Sequence, residues 1–279
     1  MLPIPNKDLT NRAKNRLEGF TSVIIGMPDY SEQKAKAESL WDNKSPKFLY
    51  EELRITLASM CNGVKRCMYC EDAEAKTIEH RRPKSLFPRQ TFDWDNLLFS
   101  CGNCNSKKSN KFAILIPPIS LEYVEITEKN IYSINHLSGY VEITEKNIAS
   151  INQESGIDAV IDPRKENPMD LLSLVLEDPF YFLPRLENKD AINFLKATYT
   201  ILILDLNNVT LSRMRRLAFQ TYLGRLKEYG NDKKGKYHEF QEFLQESYHR
   251  TVWEEMKRQH SQRDDLRDLF QQAPEVLAW

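Results

Sequence analysis

Two Cys-x-x-Cys pairs, Cys67/Cys70 and Cys101/Cys104, constrain this chain more than any other feature. They flank a thirty-residue stretch, 71–100, and together supply the four thiolates of a closed, tetrahedral structural zinc site. Such a site brings two remote turns to one point, so it dictates closure of the intervening stretch before any strand or helix is assigned. The fifth cysteine, Cys61, stands outside the pattern and reads as a small core residue at a helix end. Cysteines kept as metal ligands rather than disulfides suit a reducing compartment, so a cytoplasmic location is expected.

The stretch between the pairs is longer than a simple zinc ribbon needs, and its residues point to chemistry. Thr77-Ile78-Glu79-His80 reads as a short strand with a carboxylate beside an imidazole, followed by Arg81-Arg82-Pro83-Lys84. After a loop containing Trp94, Asn96 opens a second apolar run, Leu97-Leu98-Phe99, which leads into Cys101. The second pair opens a short helix over 103–108, with Asn105 directly after Cys104. From Lys65 to Lys111 there are ten Lys or Arg against six Asp or Glu, so this segment carries +4 and the remainder of a chain of net charge −1 carries −5. Four zinc-bound thiolates lower the segment to about +2, still a local basic face of the kind a phosphate backbone needs.

Strand, loop, strand and helix in this order, framed by two Cys-x-x-Cys pairs, resemble the zinc-bearing branch of the HNH endonuclease family, whose fold is the ββα-metal motif. The resemblance covers about forty-five residues. It implies that His80 is the general base and that Asn96 orients the His-bearing strand. It further implies that Glu79 and Asn105 hold a catalytic Mg²⁺ or Mn²⁺, the amide oxygen of Asn105 being a hard ligand. Glu79 stands where Asp is commoner, and Asn105 where His is commoner. Cys67, Cys70, Cys101 and Cys104 would hold the zinc as a staple outside the chemistry, and Arg81, Arg82, Lys84 and Lys108 are the candidate phosphate clamps.

Around this motif, 279 residues suffice for one large domain or two, with 41% hydrophobic and 28% charged residues, as in an ordinary soluble protein. No apolar run approaches membrane-spanning length, and Met1 to Pro5 lacks a signal-peptide core. The order predicts a helical segment at 1–60, the nuclease core at 61–115, a linker or insertion at 116–168 and a helical region at 169–279. The class is therefore α+β and mostly α-helical. Helices are expected over 6–19, over 31–42 with Ser31 as N-cap, and over 47–60, where Ser45-Pro46 gives a start signal and Phe48, Leu49, Leu53 and Leu57 form the apolar face. In the insertion, 123–131 recurs as 140–148, which reads as a duplicated surface element of short strands or hairpins. Asp162-Pro163 and Asn167-Pro168 mark a turn cluster, and Phe180 to Pro184 reads as a strand end.

Further helices are expected over 190–205, over 211–228 capped by Asn207 or Asn208 and ended by Gly230, and over 237–260 after a polar loop at 231–236. The last carries an apolar stripe, Phe240, Phe243, Leu244, Tyr248, Val252 and Met256, that suits either a core or a partner's groove. Arg213, Arg215, Arg216 and Arg225 read as a solvated helix face or as phosphate contacts. His136, His238, His249 and His260 read as surface or packing residues.

The wider pattern, from the N-terminal helices through Ile-Glu-His-x-Arg-Pro-Lys-Ser to the Asp-Pro and Glu-Asn-Pro turn, resembles the PtuB family, the HNH subunits of Septu-type anti-phage defence systems. That resemblance implies a nuclease effector acting on nucleic acid, DNA favoured over RNA, in complex with an ATPase of the PtuA kind. A non-catalytic zinc-dependent binding module is the alternative, which burial of Glu79 and His80 in other hydrogen bonds would favour. A partner-docking subunit is a third.

Overall fold

The structure, a computed structural model, describes residues 1–61, 65–115, 140–148, 156–185 and 191–279. It is α+β and mostly helical, with three small antiparallel sheets among the described residues. The chain enters extended, with Met1, Leu2, Ile4 and Leu9 buried. Helix α1 then spans Asn11–Ile25, later than the charge pattern suggested, because Thr10 supplies the cap by accepting from the Ala13 amide. Ala13, Leu17, Phe20 and Ile24 form its buried stripe. Helix α2, Tyr30–Asn43, is capped by Asp29 rather than by Ser31, its carboxylate accepting from the Glu32 amide at 2.9 Å. Helix α3, Lys47–Met60, has Pro46 in the cap position with no side-chain cap bond, so Ser45 does not cap it. Its buried face, Leu49, Leu53 and Leu57, packs on the second strand of the cysteine-framed segment.

In that segment β1, Thr77–His80, pairs antiparallel with β2, Leu97–Ser100, placing Glu79 opposite Leu98 and His80 opposite Leu97. Helix α4, Gly102–Lys108, follows at once, its N-cap being Cys101. Strand β3, Ala113–Leu115, pairs with β4, Tyr140–Glu142, and β5, Ile157–Asp158. The second copy of the sequence repeat thus begins as β4, and its Ile143 and Ile148 are buried in the core rather than lying on the surface. The first copy lies outside the described residues. A short helix α5, Pro168–Leu171, capped by Asn167, precedes a hairpin of β6, Leu172–Leu174, and β7, Phe182–Pro184.

The C-terminal half is a helical stack: α6 (Ala191–Ile203), α7 (Val209–Asn231, capped by Asn208), α8 (Lys233–Glu246), α9 (Arg250–Gln259) and α10 (Asp264–Gln272). Three expectations change here. Gly230 lies inside α7, and the loop expected at 231–236 shrinks to Asp232, which ends α7 and caps α8 by accepting from the Gly235 amide at 3.0 Å. The single helix expected over 237–260 is broken at Ser247-Tyr248-His249, where the Ser247 hydroxyl bonds back to the Phe243 carbonyl and His249 takes a left-handed φ of 50°. The apolar stripe is mainly core, since Phe240, Leu244, Val252 and Met256 are buried, whereas Tyr248 is 49% exposed.

One continuous apolar cluster joins residues from the N-terminal helices, the cysteine-framed segment, the insertion and the C-terminal stack. No helix among the described residues is long and apolar enough to cross a membrane. Truncating the stripe tests its place in the core: Phe240→Ala should cost about 3–5 kcal/mol of unfolding free energy, read from urea denaturation. An unchanged midpoint would assign that ring to a surface instead.

Candidate active site and metal centre

The two cysteine pairs meet. All four sulfurs are buried and lie within 4.8 Å of one another, with Cys70 Sγ 3.9 Å from Cys101 Sγ. Ligands about 2.3 Å from a tetrahedral ion are roughly 3.8 Å apart, whereas a disulfide would bring sulfurs to about 2.05 Å, so the spacing is that of a metal-binding tetrathiolate. Local backbone makes each half. Glu71 N donates to Cys67 O at 3.0 Å to close the first turn, and Cys104 N donates to Cys101 Sγ at 3.4 Å as α4 begins.

This first turn is also where the C-terminal stack docks. Glu71 accepts from the Thr251 hydroxyl at 2.5 Å, Asp72 meets His249 Nε2 at 3.2 Å, and the Arg66 guanidinium lies 3.2 Å over the Tyr248 ring. His249 therefore has the carboxylate partner that sequence alone did not give it. Arg215 is neither a solvated residue nor an available phosphate contact. It is buried, donates to the Phe180 and Leu206 carbonyls at 3.2 and 2.6 Å, and is pushed down to about 10 by that burial.

Asn96 is the clamp of the β1–β2 connection. Its Oδ1 accepts from Arg82 N at 2.8 Å, and its Nδ2 donates to the Arg82 and Gln90 carbonyls at 3.0 and 3.1 Å. Both ends of the connection are thereby tied, which positions the neighbouring Thr91 carbonyl against His80. His80, only 7% exposed, lies 3.0 Å from that carbonyl through Nε2 and packs edge-on against Trp41 of α2 at 4.3 Å. A carbonyl only accepts, so Nε2 carries the proton and Nδ1 keeps its lone pair, with no hydrogen bond to any described residue. Burial pushes the imidazole down to about 3, so the ring is neutral at physiological pH.

Glu79, 4% exposed, faces α4. There the fully buried Lys108 reaches back from the end of α4, its Nζ 2.7 Å from Glu79 Oε1 and 2.9 Å from the His80 carbonyl. Burial drives the carboxyl up and the ammonium down, and each partner's charge opposes the other's shift. Asn105, half-buried on the same helix, makes no side-chain hydrogen bond to a described residue. A buried carboxylate already cradling a cation, with a free amide on the adjoining helix, is a donor set that fits a hard divalent ion.

The basic residues singled out in the sequence are engaged with acids. Arg81 contacts Asp158 at 2.5 Å and Asp162 at 3.0 Å, Arg82 grips Asp158 through two nitrogens at 2.6 and 3.1 Å, and Lys84 pairs with Asp42 at 3.1 Å. Only Arg82 and Lys84 keep side chains partly open, at 19% and 27%. A cleft of about 470 Å³ beside Asn96 is lined by Arg82, Asp158, Lys165, Glu166 and Lys196, so its walls carry both signs. Arg164, unmarked in the sequence reading, joins the site to the rest of the chain. It bonds the Trp94 carbonyl, the Leu97 carbonyl at 2.9 Å and Asn6 at 2.8 Å; the Asp-Pro before it was the only local hint.

Two measurements check this geometry. Asn96→Ala leaves three backbone groups without their partner and should cost about 2–4 kcal/mol, seen as a lower urea midpoint. Cys104→Ser should release bound zinc, detected by elemental analysis, and destabilise the segment; zinc-free protein with an unchanged fold would remove the tetrathiolate from the folding argument.

Residues 67–111 match the HNH endonuclease family. Over 76 residues the chain is 38% identical to the Septu protein PtuB of Bacillus thuringiensis, a match that spans 24% of this chain and 29% of that protein. The stretch that brings together the four cysteines, Glu79, His80, Asn96 and Asn105 is thus a segment of the HNH endonuclease family, and it resembles PtuB.

Proposed function

We propose that the chain is a metal-dependent HNH endonuclease that hydrolyses phosphodiester bonds of nucleic acid, DNA favoured over RNA, as the nuclease of an anti-phage defence complex with an ATPase resembling PtuA. The observation that carries this reading is the placement of His80: its Nε2 is fixed by the Thr91 carbonyl at 3.0 Å, which leaves Nδ1 unprotonated as a proton acceptor. That is the protonation state a general base needs. His80 takes a proton from the attacking water, and the water oxygen bonds to phosphorus as the bond to the leaving oxygen breaks. Asn96 keeps the His-bearing strand and the Gln90-Thr91 turn in register. Glu79 and Asn105 would hold the Mg²⁺ or Mn²⁺, which when bound would supply charge stabilisation for the phosphate and the leaving oxygen. Arg82 and Lys84, the two partly open cations, contact flanking phosphates. Zinc in the tetrathiolate holds hairpin to helix and takes no part in the chemistry.

One observation favours a second reading. Glu79 and His80 are both buried and both hydrogen-bonded within the chain, the circumstance that suits a non-catalytic binding or docking subunit. Cleavage decides between the two. His80→Ala should lower magnesium-dependent nicking of plasmid DNA by about 10²-fold or more while zinc content and circular dichroism are retained. Nicking at the parental rate would remove His80 from the mechanism, and duplex binding without cleavage by the parent chain would favour the second reading.

A further inference from the structure

Lys108 is the residue whose structural place departs furthest from its place in the sequence. In the chain it belongs to a basic tail, Lys107-Lys108, and reads as a phosphate contact. In the fold it ends α4 with its side chain at 0% exposure, and both hydrogen bonds of its ammonium go to the end of β1. Its neighbour Lys107 turns outward to Asp205 at 2.9 Å, so burial of Lys108 is not a property of the tail as a whole. Lys108 is also three residues beyond Asn105 on the same helix, a spacing that puts the two side chains on one face. The carboxylate on one side of that face is Glu79, and the ammonium already contacts it.

We propose that Lys108 is a tethered stand-in cation: its ammonium occupies the place on Glu79 that a divalent ion takes, and binding of that ion displaces it. The inference rests on the assignment of Glu79 and Asn105 as metal ligands. Two features of the geometry carry it further. A carboxylate 4% exposed is costly to keep ionised without a counter-charge, and among the described residues the cation that contacts it is Lys108. The second bond of the ammonium goes to a backbone carbonyl, an acceptor that can turn to water or serve as a further oxygen ligand when the ammonium leaves. Lys108 is thus a positioning residue: it holds Glu79 in place in the metal-free chain and sets how tightly an ion must bind to replace it.

The consequence is competition. If the ammonium occupies Glu79 for more than about nine-tenths of the time, the apparent metal affinity is reduced roughly tenfold or more, and removing the ammonium restores it. The zinc-loaded full chain, titrated with Mn²⁺ alone and followed by electron paramagnetic resonance of the free ion, reads this directly. Lys108→Met, which keeps the apolar stem, should bind Mn²⁺ on the order of tenfold more tightly than the parent. Equal or weaker binding would overturn the proposal.

Should the variant fail to fold, the parent chain still decides, through acylation of lysines read by mass spectrometry with and without Mn²⁺. Lys108 should be protected in the metal-free chain and become labelled when Mn²⁺ is bound. Protection that persists with Mn²⁺ bound would sink the displacement while leaving the metal-ligand assignment standing. A parent chain that binds no Mn²⁺ would remove both.

Discussion

Everything else in the molecule depends on four thiolates being brought within 4.8 Å of one another. A zinc ion in such a cage contributes on the order of 10 kcal/mol to folding, comparable with the whole net stability of an ordinary domain. The cage also fixes geometry in two directions. Inward, it joins the turn before β1 to the start of α4, which sets the helix carrying Asn105 and Lys108 against the strand carrying Glu79 and His80. Outward, the same turn offers Glu71 and Asp72 to Thr251 and His249, so the C-terminal stack docks on the turn that carries two of the thiolates. Loss of the ion would be felt in both halves of the chain.

Around this centre several charged side chains are buried, most of them in ion pairs. Glu79 with Lys108, Arg81 with Asp158 and Asp162, and Arg185 with Glu255 at 2.6 Å hold their partners largely out of water. Such pairs contribute little net stability against apolar replacements of equal volume, but breaking one costs about 3–5 kcal/mol because a charge is left stranded. They act as specifiers of arrangement. Arg81 and Arg82 share Asp158 of β5, so the insertion is locked to the residues that follow His80, and the orientation of one depends on the other.

What the sequence made legible was local. The strands of the hairpin, the short helix after Cys101 and the apolar face of α3 are written in spacing over a few residues, and the thiolate cluster follows from ligand type. What it hid was long-range or degenerate. Nothing near Arg81 announces Asp158, 77 residues away, and nothing in a Lys-Lys pair says which of the two turns inward. The break between α8 and α9 was invisible for a different reason. Phe240, Leu244, Tyr248, Val252 and Met256 continue at intervals of four straight through it, so periodicity alone describes one helix where a left-handed residue and a serine back-bond make two. A polar run looks the same whether it is a connection or the exposed face of a cap, so nothing around Asp232 announces that it caps a helix.

The placement of the N-terminal helices changes what they are for. Glu79 meets Lys108 of α4, and the ring of His80 packs against Trp41 of α2. Trp41 also meets Phe92 at 5.6 Å, and Phe92 meets Phe20 of α1 at 4.6 Å, so the ring of His80 lies against a wall built by α1 and α2. Tyr30 from the same pair of helices bonds the Ser85 carbonyl at 2.6 Å, and Asp42 holds Lys84. The connection between the two strands is therefore shaped as much by residues 11–43 as by Asn96. These helices therefore help to shape the surroundings of His80. A chain cut before Ser45 would lose the wall against which the His80 ring packs and the Tyr30 and Asp42 contacts that hold the connection.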